Sequence, residues 1–282
     1  QGNSKELSLH RYICIVQADG DNVGKTVSNK NLKDGDVEQI SKELVKFGID
    51  ATRAIKEFGG MPIYAGGDDL LFIAPVAGKD NKNIFDLIQT LQDESFKNVH
   101  ERVKSFGLKD DEGQPIEASL SFGIAITYHK YPLYEAFETA RNLLFDHAKK
   151  FKNKKAVAWT LRKHSGGSFD AVFSCKDNNL WKEFQELIAA TNDGNTVSAV
   201  AHKLRQNESL VNIVVESNEP KRLDALFDKL LEFDSTKSEY FNAVKTIMPS
   251  LYNVVGKERY IQSLYSILRT AKFIKGEDLR DE

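Results

Sequence analysis

The chain has 282 residues, 41% of them hydrophobic and 28% charged, enough to bury a core in one large domain or two modest ones. A net charge of −2 excludes overall charge as a source of affinity for nucleic acid or membranes, and no apolar run is long enough to span a bilayer. The two cysteines, Cys14 and Cys175, lie far apart and in no motif, so they read as buried, reduced thiols of a cytoplasmic protein.

The chain opens on Gln-Gly-Asn-Ser without a methionine, and a strand follows within a few residues. This is the expected appearance of a tag remnant on a piece of a longer protein. Residues 11–18, RYICIVQA, form a short β-branched apolar run ending at Asp19, the pattern of a buried strand. A polar loop with Gly20, Gly24 and Gly35 is expected next. From Val37 to Phe58 the apolar spacing is helical, and Gly59-Gly60 ends it. MPIYA and LLFIAPV flank Gly66-Gly67-Asp68-Asp69, a β-hairpin with a tight turn.

A second helix is predicted over 83–106, with Ile84, Leu87, Ile88, Leu91, Val99 and Val103 on its apolar face, and DDEGQP breaks it. IEASLSFGIAITY alternates as a strand, and 133–151 read as a third helix with basic residues crowding its end. AVAWTL and FDAVFSC, split by KHSGGS, make a further strand pair. Beyond about 177 helical periods dominate, as in LWKEFQELIAA and YIQSLYSILRTAKFI. Domains are therefore expected at 5–176 and 177–282.

Strand, helix, strand, strand, helix, strand is the ferredoxin-like order. The predicted fold is α+β: a ferredoxin-like palm (βαββαβ) with extra strands, followed by a small all-α domain. In this topology the first strand lies antiparallel to the third, which brings Asp19 to the hairpin turn that holds Asp68 and Asp69. Strands about 4.8 Å apart let these carboxylates converge on one cation or a close pair.

Three chemistries compete for ADGDNVGKT at 18–26. A P-loop needs a glycine where Asp19 stands, and a helix directly after the motif. An EF-hand loop needs a ligand at Val23 and a bidentate Glu at Lys30. A catalytic metal carboxylate at a strand end needs a partner, and GGDD supplies it: two adjacent acids in a turn repel unless a positive group neutralises them. The plain alternative is a pair of solvated turn acids. Asp19 at the matching strand end favours two-metal nucleotidyl transfer on Mg²⁺ or Mn²⁺. Asp19 and Asp69 would bridge the metals, Asp68 support them, and the Gly20 carbonyl add a ligand.

DGD with Gly24, AGGDDLLF, SLSFGIAI and LLFDHAKKFKNKKAVAW together resemble the polymerase/cyclase palm related to GGDEF diguanylate cyclases. The likeness is greatest to the second, GGDD palm of the large subunit of type III CRISPR effector complexes. KHSGGS and the tail ending in LYSILRTAKFI are similar to the segment that follows that palm, including its C-terminal helical domain. The resemblance implies conversion of ATP to cyclic oligoadenylate on target RNA binding, in company with the other subunits and their guide and target RNA. It implies Asp19 and Asp69 as metal ligands, Asp68 as the preceding acid of the motif and Lys149 at the triphosphate, with Asp68 and Asp69 the catalytic pair. The turn glycines Gly66 and Gly67 by their own chemistry let a nucleotide come close to the backbone. Ser121, on a neighbouring strand, is a further candidate for nucleotide contact, although solvent is the ordinary surrounding of a strand serine.

Lys149 has an ordinary alternative as a cation at a helix C-terminus. The run Lys149, Lys150, Lys152, Lys154, Lys155 can be a solvated basic face or a phosphate contact. The family subunit holds its substrates between two palms, and a second palm is not visible in this sequence. A free-standing nucleotide cyclase acting as a homodimer and a non-catalytic nucleotide-binding scaffold are the alternatives to the CRISPR palm.

Overall fold

The computed structural model describes residues 9, 11–33, 35–80, 82–110, 112–151, 154–176, 178–231 and 238–276. Lys152 lies outside them. The chain divides into two compact units, His10–Thr160 and Leu161–Glu282 together with Gln1–Leu9. This division passes through the fifth strand, whereas the sequence places a boundary near 176.

The first unit is built on strands β1 (Tyr12–Asp21), β2 (Met61–Gly66), β3 (Asp69–Pro75), β4 (Ser119–Tyr128) and β5 (Ala156–Arg162), and β6 (Ser168–Ser174) follows in the chain. Within this unit the strand order is β2-β3-β1-β4-β5. Its first four members have the ferredoxin-like arrangement, with β1 antiparallel to both β3 and β4. The α+β fold expected from the element order is the one observed.

Alternation along β1 sorts its side chains between two layers. Cys14, Val16 and Ala18 share one face with Leu70, Phe72, Leu120, Phe122 and Ile124, and all are buried. Burial pushes the Cys14 thiol far above its ordinary pKa, the property of an inert core cysteine. Helix α2 (Asp36–Phe58) caps with Gly59 in the left-handed region, as its sequence requires. Its Phe47 meets Phe96 edge-to-face, and Phe85 meets Trp159 of β5 in the same manner. On the other face Ile15 and Ala125 pack with Ala136 and Ala140 of helix α5 (Leu133–Asn142).

Three local features depart from expectation. β1 does not stop at Asp19 but runs two residues further, to Asp21. The predicted polar loop begins with a helical turn, α1 (Val23–Val27), because Val23 and Thr26 are buried and Thr26 Oγ1 donates to the Asn22 carbonyl. A helical turn thus does carry Gly24-Lys25-Thr26, but residues 19–21 belong to β1, so no phosphate-binding loop precedes it. Both later helices carry a π-helical turn. Leu91–Ser95 separates α3 (Ile84–Thr90) from α4 (Lys97–Ser105), and Leu143–Ala148 follows α5.

The second unit contains α6 (Asn178–Ala190), α7 (Gly194–Gln206), α8 (Glu208–Glu216), α9 (Pro220–Leu231), α10 (Ser238–Val255) and α11 (Lys257–Ile274). α10 packs on α6 and α11 on α7. Most of α11 is buried, from Tyr260 through Leu264, Leu268 and Ala271 to Ile274, and nearly its whole circumference from Leu264 onward. Trp181, Phe184, Leu187 and Leu226 are core residues, as their spacing implies. Among the described residues no helix is long and apolar enough to cross a membrane.

Candidate active site

Strand register assembles the site. Ala18 pairs with Leu70 across β1 and β3. Continued by one and two residues, that antiparallel register sets Asp69 opposite Asp19 and Asp68 opposite Gly20. Gly66 pairs with Asp69, leaving Gly67-Asp68 as a two-residue hairpin turn. Gly67 adopts φ 62, the left-handed value that such a turn demands at its first central residue. Gly20 is required for a different reason. A β-carbon there would lie 2.5 Å from Asp68 Oδ2 and 2.6 Å from Asp68 Cβ, so the bare backbone of β1 is what admits the Asp68 side chain.

Burial, and after it the crowding of like charge, shows in the protonation of the turn. Burial holds the Asp69 carboxyl above the ordinary carboxylate range, and the charges of Asp19 and Asp68 push it the same way. Asp68 is raised chiefly by burial; its own main-chain hydrogen bond opposes this, and Asp19 reinforces it. The Lys149 ammonium partly offsets both shifts. A polar rim with perturbed carboxylates is the signature of a functional site more often than of a structural one.

Lys149 is delivered by the π-helical turn. Its main-chain N–H donates to Leu144 O at 2.8 Å, a bond spanning five residues that ends the helix over the rim. Gly123 makes room for this turn: a β-carbon on it would come within 2.1 Å of Ala140 O and 2.5 Å of Leu144 N. The Lys149 ammonium then donates to Asp19 Oδ1 at 2.9 Å and to Gly20 O at 2.6 Å. It also faces Asp21 Oδ1 at 3.1 Å.

Asp21 is the residue that sequence reasoning left without a role. Two places after Asp19 on the same strand, it projects to the same face, a relation that the period of two makes visible in advance. Its side chain is fully buried. Oδ2 accepts from Ser119 Oγ at 2.8 Å, Ser121 Oγ at 2.8 Å and the Lys155 N–H at 3.0 Å. Oδ1 is buried and receives no hydrogen bond; the ion pair with Lys149 is its compensation.

The sequence-predicted residues are thus placed as follows. Asp19, Gly20, Asp68, Asp69, Gly66, Gly67 and Lys149 meet at one rim. Ser121 lies in the core beneath it, completely buried, with its hydroxyl given to Asp21 instead of solvent. The lysine run is not a uniformly solvated face. Lys150 pairs with Asp146 at 2.7 Å in solvent, but Lys154 Nζ donates to Asn22 Oδ1 at 2.8 Å and Lys155 pairs with Asp93 at 3.2 Å. Lys154 and Lys155 both take left-handed backbone angles, φ 49 and φ 44, a strained pair secured by these contacts. Burial also lowers the pKa of Lys154.

Among the described residues no three Asp, Glu, His or Cys side chains stand close enough to share a metal ion. The expected convergence of three carboxylates on one cation is therefore not present as drawn. The donor set nevertheless suits a hard cation: carboxylates of Asp19 and Asp21 and the carbonyl of Gly20, with a cation of the chain's own, the Lys149 ammonium, among them.

Residues 12–158 match the family model of the Cas10/Cmr2 second palm domain. A curated relative, the CRISPR system Cmr subunit Cmr2 of Pyrococcus furiosus, is 31% identical over 185 residues, 56% of this chain. The matched stretch is only 19% of that protein's length. A chain of the type III-B Cmr-beta complex, seen by cryo-EM in its apo state, superposes on 95% of this chain and 39% of its own, with a TM-score of 0.51 and 13% identity. The GGDEF domain of DgcB from Caulobacter crescentus in complex with c-di-GMP aligns with 55% of this chain and 84% of its own, at a TM-score of 0.34 and 13% identity. A family match over more than half of the chain, falling on the strands that carry Asp19 and the GGDD turn, places the protein in the Cas10/Cmr2 family, with a second palm domain at residues 12–158.

Proposed function

We propose that the chain is the metal-dependent nucleotidyltransferase palm of a type III CRISPR effector subunit, which converts ATP to cyclic oligoadenylate when the complex holds target RNA. The observation that carries this reading is the meeting of Asp19, Asp68, Asp69, the Gly20 carbonyl and Lys149 at one rim of the sheet. Acids forced together with raised pKa values have their natural counter-charge in a divalent cation.

In this reading Asp19, Asp21 and the Gly20 carbonyl would hold Mg²⁺ or Mn²⁺, with Asp68 and Asp69 completing the site from the hairpin. When bound, such a metal pair lowers the pKa of an attacking hydroxyl and stabilises the departing pyrophosphate. Lys149 supplies a mobile positive charge for triphosphate oxygens, a task suited to an ammonium on a flexible stem. Gly66 and Gly67 let a nucleotide approach the turn backbone. Ser121 acts on the site through Asp21. The helical unit docks against other subunits of a cytoplasmic type III complex, through which guide and target RNA are contacted.

Incubation with labelled ATP or GTP and Mg²⁺ or Mn²⁺ tests this, with and without the remainder of the subunit and target RNA. Metal-dependent oligoadenylate, lost in Asp68→Ala and Asp69→Ala, is the expected result. Turnover by the isolated chain as a dimer would instead identify a free-standing cyclase. Nucleotide binding without turnover under every condition would identify a scaffold.

A further inference from the structure

We propose that Lys149 is the resident occupant of the cation site, held there by Asp21, and that metal entry expels it and frees its ammonium for the nucleotide. This rests on the reading that the rim binds a divalent cation. The ammonium is surrounded as a metal would be, by Asp19 Oδ1 at 2.9 Å, Gly20 O at 2.6 Å and Asp21 Oδ1 at 3.1 Å.

The second observation is independent of the rim acids. Asp21 is buried, and three donors converge on its Oδ2. Oδ1 is left buried, without a hydrogen bond and aimed at the ammonium. A buried carboxylate that loses its counter-charge is strongly disfavoured, so this position favours a resident positive charge. The ammonium and a metal ion cannot both sit on the same three oxygens, so a metal entering this position requires Lys149 to leave. Lys149 leaves by rotation of its side chain, with no movement of β1 or the π-helical turn. Asp21 thereby acts as a positioning residue, keeping a placeholder in the site until metal arrives.

Two measurements test this in the whole chain. Amine acylation of the wild-type protein, read by mass spectrometry, follows Lys149 with the exposed Lys150 as an internal reference. Without metal Lys149 reacts slowly; saturating Mn²⁺ accelerates it about tenfold and leaves Lys150 unchanged. Asp21→Asn keeps an oxygen for Ser119, Ser121 and the Lys155 N–H but loses the charge, so Lys149 reacts rapidly even without Mn²⁺. Titration with Mn²⁺ followed by electron paramagnetic resonance, without nucleotide, shows Lys149→Met binding about tenfold more tightly than wild type.

If wild type binds Mn²⁺ yet Lys149 stays protected, or if a folded Lys149→Met binds no more tightly, the placeholder idea is overturned while the metal reading stands. Should Lys149→Met not fold, the wild-type and Asp21→Asn acylation rates decide. If neither wild type nor any variant binds Mn²⁺, the metal reading fails and this inference with it.

Discussion

Asp21 shows how much one side chain can hold together. It ties β4 through Ser119 and Ser121, the lysine segment through the Lys155 N–H, and Lys149 by charge. Asp21→Ala strands buried donors and an ammonium, and should cost about 3 kcal/mol of stability in urea denaturation. Asp21→Asn should cost less, because an amide oxygen can still accept from the three donors. Asp69 has the opposite sign. Its folded pKa is raised, so in the metal-free protein the stability of its protonated form is complete below the ordinary carboxylate pKa and is lost as pH rises through the folded value. Asp69→Asn should therefore stabilise the metal-free protein at neutral pH, by about 0.5 kcal/mol for so exposed a group. That gain should vanish below about pH 4, while metal-dependent ATP binding is lost at every pH. Gly20→Ala drives a methyl into Asp68 and should abolish ATP binding in isothermal titration.

At the scale of elements, hairpin and helix end were legible to different degrees. Two apolar runs on either side of GGDD, with Gly in the position that needs φ > 0, define the β2–β3 turn without any tertiary information. The π-helical turn Leu143–Ala148 was not legible, since its Leu143 and Leu144 satisfy a helical pattern equally well. What widens the helix lies far along the chain, at Gly123, whose missing side chain lets the main chain of Ala140 and Leu144 sit directly on the sheet. Gly123→Ala should destabilise the protein by about 2 kcal/mol. It should also accelerate Lys149 acylation, because the turn that aims Lys149 is displaced. Gain of neither effect would mean that the helix end is set elsewhere.

At the scale of the molecule, the matched stretch of the chain corresponds to 19% of its Cmr2 relative, so the proposed chemistry is to be tested with and without the rest of the subunit. Oligoadenylate yield, followed by chromatography of labelled ATP products, should rise at least about tenfold when the rest of the subunit is supplied, because positioning two nucleotides against each other supplies much of such a rate. Equal yield with and without it would assign the chemistry to this chain alone. The sequence by itself determined the ferredoxin-like strand order, the hairpin and the coming together of Asp19 with Asp68 and Asp69, because local periodicity and turn chemistry specify strands and a small topology specifies their neighbours. Only the tertiary structure decided that Lys149 lies among the site oxygens, that Ser121 is spent on Asp21 and that Asp21 is the hub. Those facts depend on side-chain contacts between residues 98 to 130 positions apart, and no local pattern records which buried charge finds which partner.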